Sequence, residues 1–166
     1  MNKCFMHFFH YICYNFNRGD NMKIAIANDH RGVERKNEIV NHLKSLGHTV
    51  INCGTDSNES VDYPKYAFDV SSKVSNKEVD LGILLCGTGI GMSIAANKVK
   101  GIRCAKVDNV NDAYLTRLHN DANILAMSSE NDLGLAIEII DTFINTEFSN
   151  DERHINRIKM ISDYER

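Results

Sequence analysis

The sequence contains no long basic run, and its formal net charge is −3. A nucleic-acid-binding protein would carry a basic stripe, so phosphate recognition, if present, is expected to be local. No apolar run approaches the roughly 20 residues that a membrane-spanning helix requires. The five cysteines, at positions 4, 13, 53, 86 and 104, are odd in number and form no Cys-x-x-Cys pair. That excludes a secreted disulfide framework and implies reduced thiols in a cytoplasmic compartment. Internal repeats, low-complexity linkers and a second domain are also missing. What is present is 166 residues with 43% apolar and 25% charged content, the composition of one soluble globular domain.

The first 21 residues differ from the rest. They are rich in Phe, Tyr, His and Cys and have no Leu, Val or Ala. The apolar run from Phe5 to Tyr14 is broken by His7 and His10. Lys3 supplies a trace of the basic start of a signal peptide, but a small-residue cleavage site is missing. Arg18-Gly19 can be encoded by a purine run resembling a bacterial ribosome-binding site, two codons before Met22. Residues 1–21 are therefore expected to be a non-native or poorly ordered extension, with Met22 the natural start. A peptide spanning Phe16 to Lys23 in the mass spectrum of the native protein would overturn that expectation.

From Met22 onward, short apolar runs alternate with helical stripes. Strands are expected at Lys23–Ala27, Thr49–Cys53, Leu81–Cys86, Arg103–Val107 and Asn123–Met127. Several lack strict alternation, as in strands buried on both faces of a parallel sheet. Ile39, Val40, Leu43 and Leu46 make one helical stripe, stopped by Gly47. Tyr66, Ala67, Val70 and Val74 make a second. Leu133, Ala136, Ile137, Ile140, Phe143 and Ile144 make a third. Asn109 is placed to cap a helix running toward His119, and Glu152–Ile161 reads as a charged final helix. Repeated βα units with right-handed crossovers predict an α/β fold. The expected form is a three-layer αβα sandwich around a doubly wound, five-stranded parallel sheet. Ligands bind such sheets beyond the carboxyl ends of the strands, which directs attention to the loops after strands one, three and four.

Four local features carry chemistry. The first is Cys86-Gly87-Thr88-Gly89-Ile90-Gly91, between a strand and a helix expected to start near Met92. Glycines there let backbone amides approach an anion. The loop is neither a P-loop nor a Gly-x-Gly-x-x-Gly dinucleotide fingerprint. A cysteine ending a buried strand is usually an inert core residue. Here, however, nearby amides can stabilise a thiolate, which is a competent base. Thr88 can hydrogen-bond a ligand or merely the loop. The second feature is Asn28-Asp29-His30-Arg31-Gly32, in which Asp29 suits a sugar hydroxyl and His30 a phosphate. Helix capping is the plain alternative. The third is Arg117-Leu118-His119-Asn120-Asp121, whose His119 is of the residue type that exchanges protons in general acid–base chemistry and can protonate a ring oxygen. The fourth is Arg153, His154 and Arg157. The two arginines share a helix face and can form a fork for phosphate, unless they are simply solvated.

Taken in order, these features resemble the B-type ribose-5-phosphate isomerases, a family that includes the galactose-6-phosphate isomerase subunits. The match also includes Asp62-Tyr63-Pro64, Met92-Ser93-Ile94-Ala95-Ala96-Asn97-Lys98 and Gly101-Ile102-Arg103. It covers essentially all of 22–166, and the glycine loop with its following helix is its most specific part. The resemblance implies a Rossmann-like fold and a cytoplasmic aldose–ketose isomerase acting on ribose 5-phosphate and ribulose 5-phosphate. That reaction belongs to the non-oxidative branch of the pentose phosphate pathway and needs neither metal nor nucleotide cofactor. By resemblance, Cys86 takes the proton from carbon 2, Thr88 assists it and His119 opens the furanose ring. The amides of Gly87, Gly89, Ile90 and Gly91 stabilise the enediolate. Asp29, Tyr63 and Asn120 contact the sugar, while His30, Arg153 and Arg157 bind its phosphate. The resemblance also implies a homodimer or homotetramer with shared sites, and a C-terminal helix that reaches the partner subunit.

The sequence departs from the family pattern at three points. Asn28 and Arg31 stand where many relatives have Ser and Ala. No carboxylate lies near Ile90, where some relatives place a glutamate base. Ser129-Glu130 replaces a Gly-Arg pair whose arginine would lie near the substrate phosphate. An acid there would repel the phosphate, so either Glu130 points away or another basic residue compensates. Two other readings stay open: an isomerase of allose 6-phosphate or galactose 6-phosphate, and a non-catalytic phosphate-binding module.

Overall fold

The computed structural model describes residues 21–165. The segment that precedes them, to which the expected extension belongs, lies outside the described residues. The elements alternate as expected: β1 (Lys23–Asn28), α1 (Val33–Ser45), β2 (Thr49–Asn52), α2 (Tyr63–Ser75), β3 (Leu81–Cys86), α3 (Ile90–Ala96), β4 (Cys104–Lys106), α4 (Val110–Asn120), β5 (Ile124–Ser128), α5 (Leu133–Asn145) and α6 (Glu152–Tyr164). All strand pairs are parallel, in the order β2-β1-β3-β5-β4.

Side-chain alternation explains the three layers. Ile24, Ile26, Ile83, Leu85, Leu125 and Met127 point to one face and pack with Leu43 of α1, Ala113 of α4 and Phe143 of α5. Ala25, Ala27, Leu84, Cys86 and Ala126 point to the other, against Val70 of α2 and Met92 of α3. That second face is built from small residues because α2 lies close to it. A Cβ on Gly82 would sit 2.7 Å from Val70 Cγ1. Every residue of β3 is buried, whereas the edge strands β2 and β4 are largely not. This agrees with the continuous apolar runs expected of central strands.

Two expectations change in detail. Leu46 was placed on the buried stripe of α1 but is exposed. In its stead Lys36, three residues before Ile39, is fully buried. Its Nζ donates to Thr55 O at 2.9 Å and pairs with the Asp56 carboxylate, so the cation is satisfied where it is buried. The second change concerns the site. β5 lies between β3 and the edge strand β4, with Cys86 in register with Ser128. The loop after β5, and not the loop after β4, therefore borders the glycine loop. Chain order alone does not reveal this exchange of neighbours.

Among the described residues, no helix is long and apolar enough to cross a membrane. Helix α6 stands apart from the core. His154 is its one buried residue, while Ile155, Met160, Ile161 and Tyr164 are exposed.

Candidate active site

Cys86 ends β3 and is buried, and its Sγ accepts the Gly89 N–H at 3.1 Å. That places a backbone donor on the sulfur. The turn that aims this amide depends on Gly89, which has φ +76°. A Cβ there would also stand 2.9 Å from the Met127 carbonyl carbon. Thr88 is exposed, and its Oγ1 accepts the Ile90 N–H at 3.3 Å, so it ties the loop. A Cβ on Gly91 would lie 2.7 Å from the Tyr63 ring, so Tyr63 rests directly on the loop backbone.

The neighbouring turn follows β1. Asp29 is buried, and its Oδ1 accepts the Arg31 N–H at 2.9 Å. Its backbone N–H donates to Leu85 O in β3 at 3.0 Å. The capping alternative is therefore met only in part, since Asp29 closes the turn while the N-cap of α1 is Gly32 with no side-chain cap. His30 Nδ1 accepts the Val61 N–H at 3.4 Å. In the neutral ring this leaves the proton on Nε2.

The loop after β5 is fastened to the same place. Ser129 N–H donates to Cys86 O at 2.9 Å. Ser128 Oγ donates to Gly87 O at 2.8 Å and accepts the Glu130 N–H at 3.1 Å. The Glu130 carboxylate pairs with the Arg31 guanidinium, which resolves the question raised by the acid at this position: an arginine from the β1 loop compensates it.

His119, Asn120, Arg153 and Arg157 are not brought to Cys86. His119 and Asn120 end α4, just before β5, at the amino ends of the strands. Asn120 O there accepts Arg103 Nε at 3.0 Å, and Gly82 N–H donates to Asn123 O at 3.0 Å. The His154 ring of α6 stacks on His119, with centroids 4.4 Å apart and planes 7° from parallel. Arg153 and Arg157 are exposed on the same helix, and Arg153 lies 3.7 Å from Asp151. The length of β3, roughly 16 Å at about 3.3 Å per residue, separates this group from Cys86 within one chain.

Residues 24–161 match the family model described as Ribose/Galactose Isomerase. The chain belongs to the ribose/galactose isomerase family. It is 55% identical over 146 residues to YwlF of Bacillus subtilis, covering 87% of this chain and 97% of that protein. It is 46% identical over 141 residues to ribose-5-phosphate isomerase B of Escherichia coli, covering 84% and 94%. Ribose-5-phosphate isomerase B of Clostridium thermocellum superposes with a TM-score of 0.83 at 48% identity, over 86% of this chain and 96% of that one. The Mycoplasma genitalium enzyme with bound ribulose 5-phosphate gives 0.82 at 42% identity, over 86% and 95%.

In this ribose/galactose isomerase the cysteines are not equivalent. Burial pushes the Cys104 thiol up to about 12. Burial, and then the neighbouring Asp69 carboxylate, does the same for Cys53. Both thiols are therefore held in the protonated form near neutrality. Sequence reasoning missed Ser128, whose hydroxyl joins two loops, and the stacking of His154 on His119. No local signal marks the first. For the second, His119 and His154 lie 35 positions apart, and only the fold of α6 against α4 unites them.

Proposed function

We propose that the chain interconverts ribose 5-phosphate and ribulose 5-phosphate through an enediolate, with Cys86 as the base and no metal or cofactor. The observation that carries this reading is the Cys86 sulfur at the carboxyl end of β3, accepting the Gly89 amide, in a chain of this family. The Cys86 thiolate takes the proton from carbon 2 of the open-chain aldose, and the electron pair moves to the carbonyl oxygen. Amides of the Gly87–Gly91 loop stabilise the developing charge by preorganised donation, with those of Gly89 and Ile90 held on the Cys86 sulfur and Thr88 until substrate binds. Moving the proton of the carbon 2 hydroxyl to the carbon 1 oxygen, and returning the abstracted proton from Cys86 to carbon 1, gives the ketose. Thr88 holds the loop, Asp29 and Tyr63 line the sugar, and His30 donates from Nε2 to the phosphate.

The ring must open first. His119 can protonate a ring oxygen, but in one chain it lies at the far end of the sheet. A second copy of the chain, docked so that its His119, Asn120, Arg153 and Arg157 face Cys86, completes the site. The exposed Ile155, Met160, Ile161 and Tyr164 of α6 support this reading, because an apolar helix face of that kind suits burial against a partner. The enzyme is thus read as a homodimer, or a tetramer of such dimers, working in the cytoplasm.

The test is turnover by Cys86→Ala with substrate binding measured separately. Isomerisation is expected to fall at least 1000-fold, a loss typical of removing a positioned base, while binding persists. Full activity of Cys86→Ala would end the mechanism. A large preference for galactose 6-phosphate over ribose 5-phosphate in the wild type would end the substrate assignment.

A further inference from the structure

We propose that Arg31, held by Glu130, binds the substrate phosphate at the mouth of the glycine loop. The inference rests on the proposed reaction but concerns a residue which that mechanism does not use.

The guanidinium is tied into the site from three sides. Its own backbone N–H is fixed by Asp29 Oδ1 at 2.9 Å. Its side chain lies over Gly87, the residue after Cys86: a Cβ there would be 3.1 Å from Arg31 Nη1 and 3.2 Å from Cδ. Its Nη2 pairs with the Glu130 carboxylate. The Glu130 backbone is anchored through Ser128 Oγ, which also bonds Gly87 O. The arginine therefore spans the loops after β1, β3 and β5.

Stability does not explain the pair. Both side chains are more than half exposed, at 57% and 59%, and exposed ion pairs contribute little to folding. An arginine carries five N–H donors in a rigid fork. Glu130 engages Nη2, and neither Nη1 nor Nε has a hydrogen-bond partner among the described residues. Those donors remain for an oxyanion, and Glu130 orients them while cancelling the charge when the site is empty. Adjacent His30, whose Nδ1 is occupied by Val61, presents Nε2–H from the same turn. Two consecutive residues then donate to one phosphate. Gly89 aims its amide at the Cys86 sulfur, so that donor is separate from those of Arg31.

Steady-state kinetics of the full chain on ribose 5-phosphate test the proposal. Arg31→Ala is expected to raise KM at least tenfold with kcat within about threefold, as for loss of a charge-assisted hydrogen bond used equally in ground and transition states. Inhibition by inorganic phosphate should weaken by a similar factor, and Arg31→Lys should recover part of both. An unchanged KM and phosphate inhibition, or a fall in kcat alone, overturns the proposal. A second measurement needs no variant. Phenylglyoxal modification of the wild type, read by peptide mass, should be slower at Arg31 when inorganic phosphate is present at saturation. An equal rate with and without phosphate overturns the proposal as well. Because this arm requires no turnover, a wild type that fails to isomerise ribose 5-phosphate would sink the assigned reaction and leave Arg31 separately decided.

Discussion

The two ends of the sheet are built differently. At the carboxyl end, three loops are joined by backbone and side-chain hydrogen bonds around Cys86: Asp29 to Leu85, Ser129 to Cys86, Ser128 to Gly87 and Gly89 to the sulfur. At the amino end, the groups proposed to act sit on helix surfaces. His119 is stacked on His154, and two exposed arginines stand on a helix with little of its apolar face covered. The first end is preorganised within one chain. The second has its arginines exposed on a helix surface, away from Cys86. The proposed reaction, which draws on both ends, would be completed by two copies facing each other.

The largest effect that would break this comparison comes from mixing two dead variants. Cys86→Ala and His119→Ala should each lose most activity on ring-closed substrate. If sites are shared across a twofold axis, co-refolding equal amounts yields mixed dimers with one intact and one doubly damaged site. About a quarter of wild-type activity should return, because about half the dimers are mixed and each has one working site of two. No recovery, with mixed dimers shown by mass, would mean that each chain completes its own site.

Next in size is Gly89→Ala, which attacks the preorganised end alone. A left-handed φ costs an L-residue roughly 1–2 kcal/mol, and the new Cβ also meets the Met127 backbone. The loop has to shift, and the amide leaves the sulfur. We expect kcat at least tenfold lower and a denaturation midpoint reduced in step, with His119-dependent ring opening untouched. A variant as active and as stable as the wild type would show that the Gly89 turn does not hold the base.

Much of this architecture could be read before folding. β3 was bounded correctly at both ends, since Leu81–Cys86 is a continuous apolar run stopped by glycine. Asn109 caps α4 as expected, its side chain accepting the Asp112 N–H. The glycine loop was legible because its residues are contiguous. The exchange of β4 and β5 was not, because periodicity reports which faces are buried and says nothing of lateral order. The Arg31–Glu130 pair joins positions 99 apart in sequence, and charge alone could not choose Arg31 as the partner. The burial of Lys36 left no mark in the pattern, because its acceptor Thr55 lies 19 positions away in the loop after β2.

A smaller effect probes the outward end. His119→Asn should slow turnover of ring-closed ribose 5-phosphate about tenfold or more, the scale of a general acid that water can partly replace. Ribulose 5-phosphate, which cannot close a furanose ring through its own C5 phosphate-bearing carbon, should be affected much less. Equal losses in both directions of the initial rate would remove ring opening from His119.

The smallest expected effect is on stability against pH, and it comes from His154. Its ring is buried against His119, and its Nε2 has no hydrogen-bond partner among the described residues. Burial, then the neighbouring His119 and Arg153, hold its pKa below the ordinary 6.5, against a weaker opposing pull from Asp151. The folded chain therefore refuses a proton that the unfolded chain accepts. The sign follows from linkage: stability is unaffected above about 6.5, falls as pH drops below it, and levels off once the folded ring also titrates. His154→Phe keeps a flat ring for stacking and removes the titration. Its thermal midpoint, compared with that of the wild type between about pH 7.5 and 5, should decline less steeply on the acid side. Parallel curves would mean that burying the His154 ring does not carry the acid-side loss of stability.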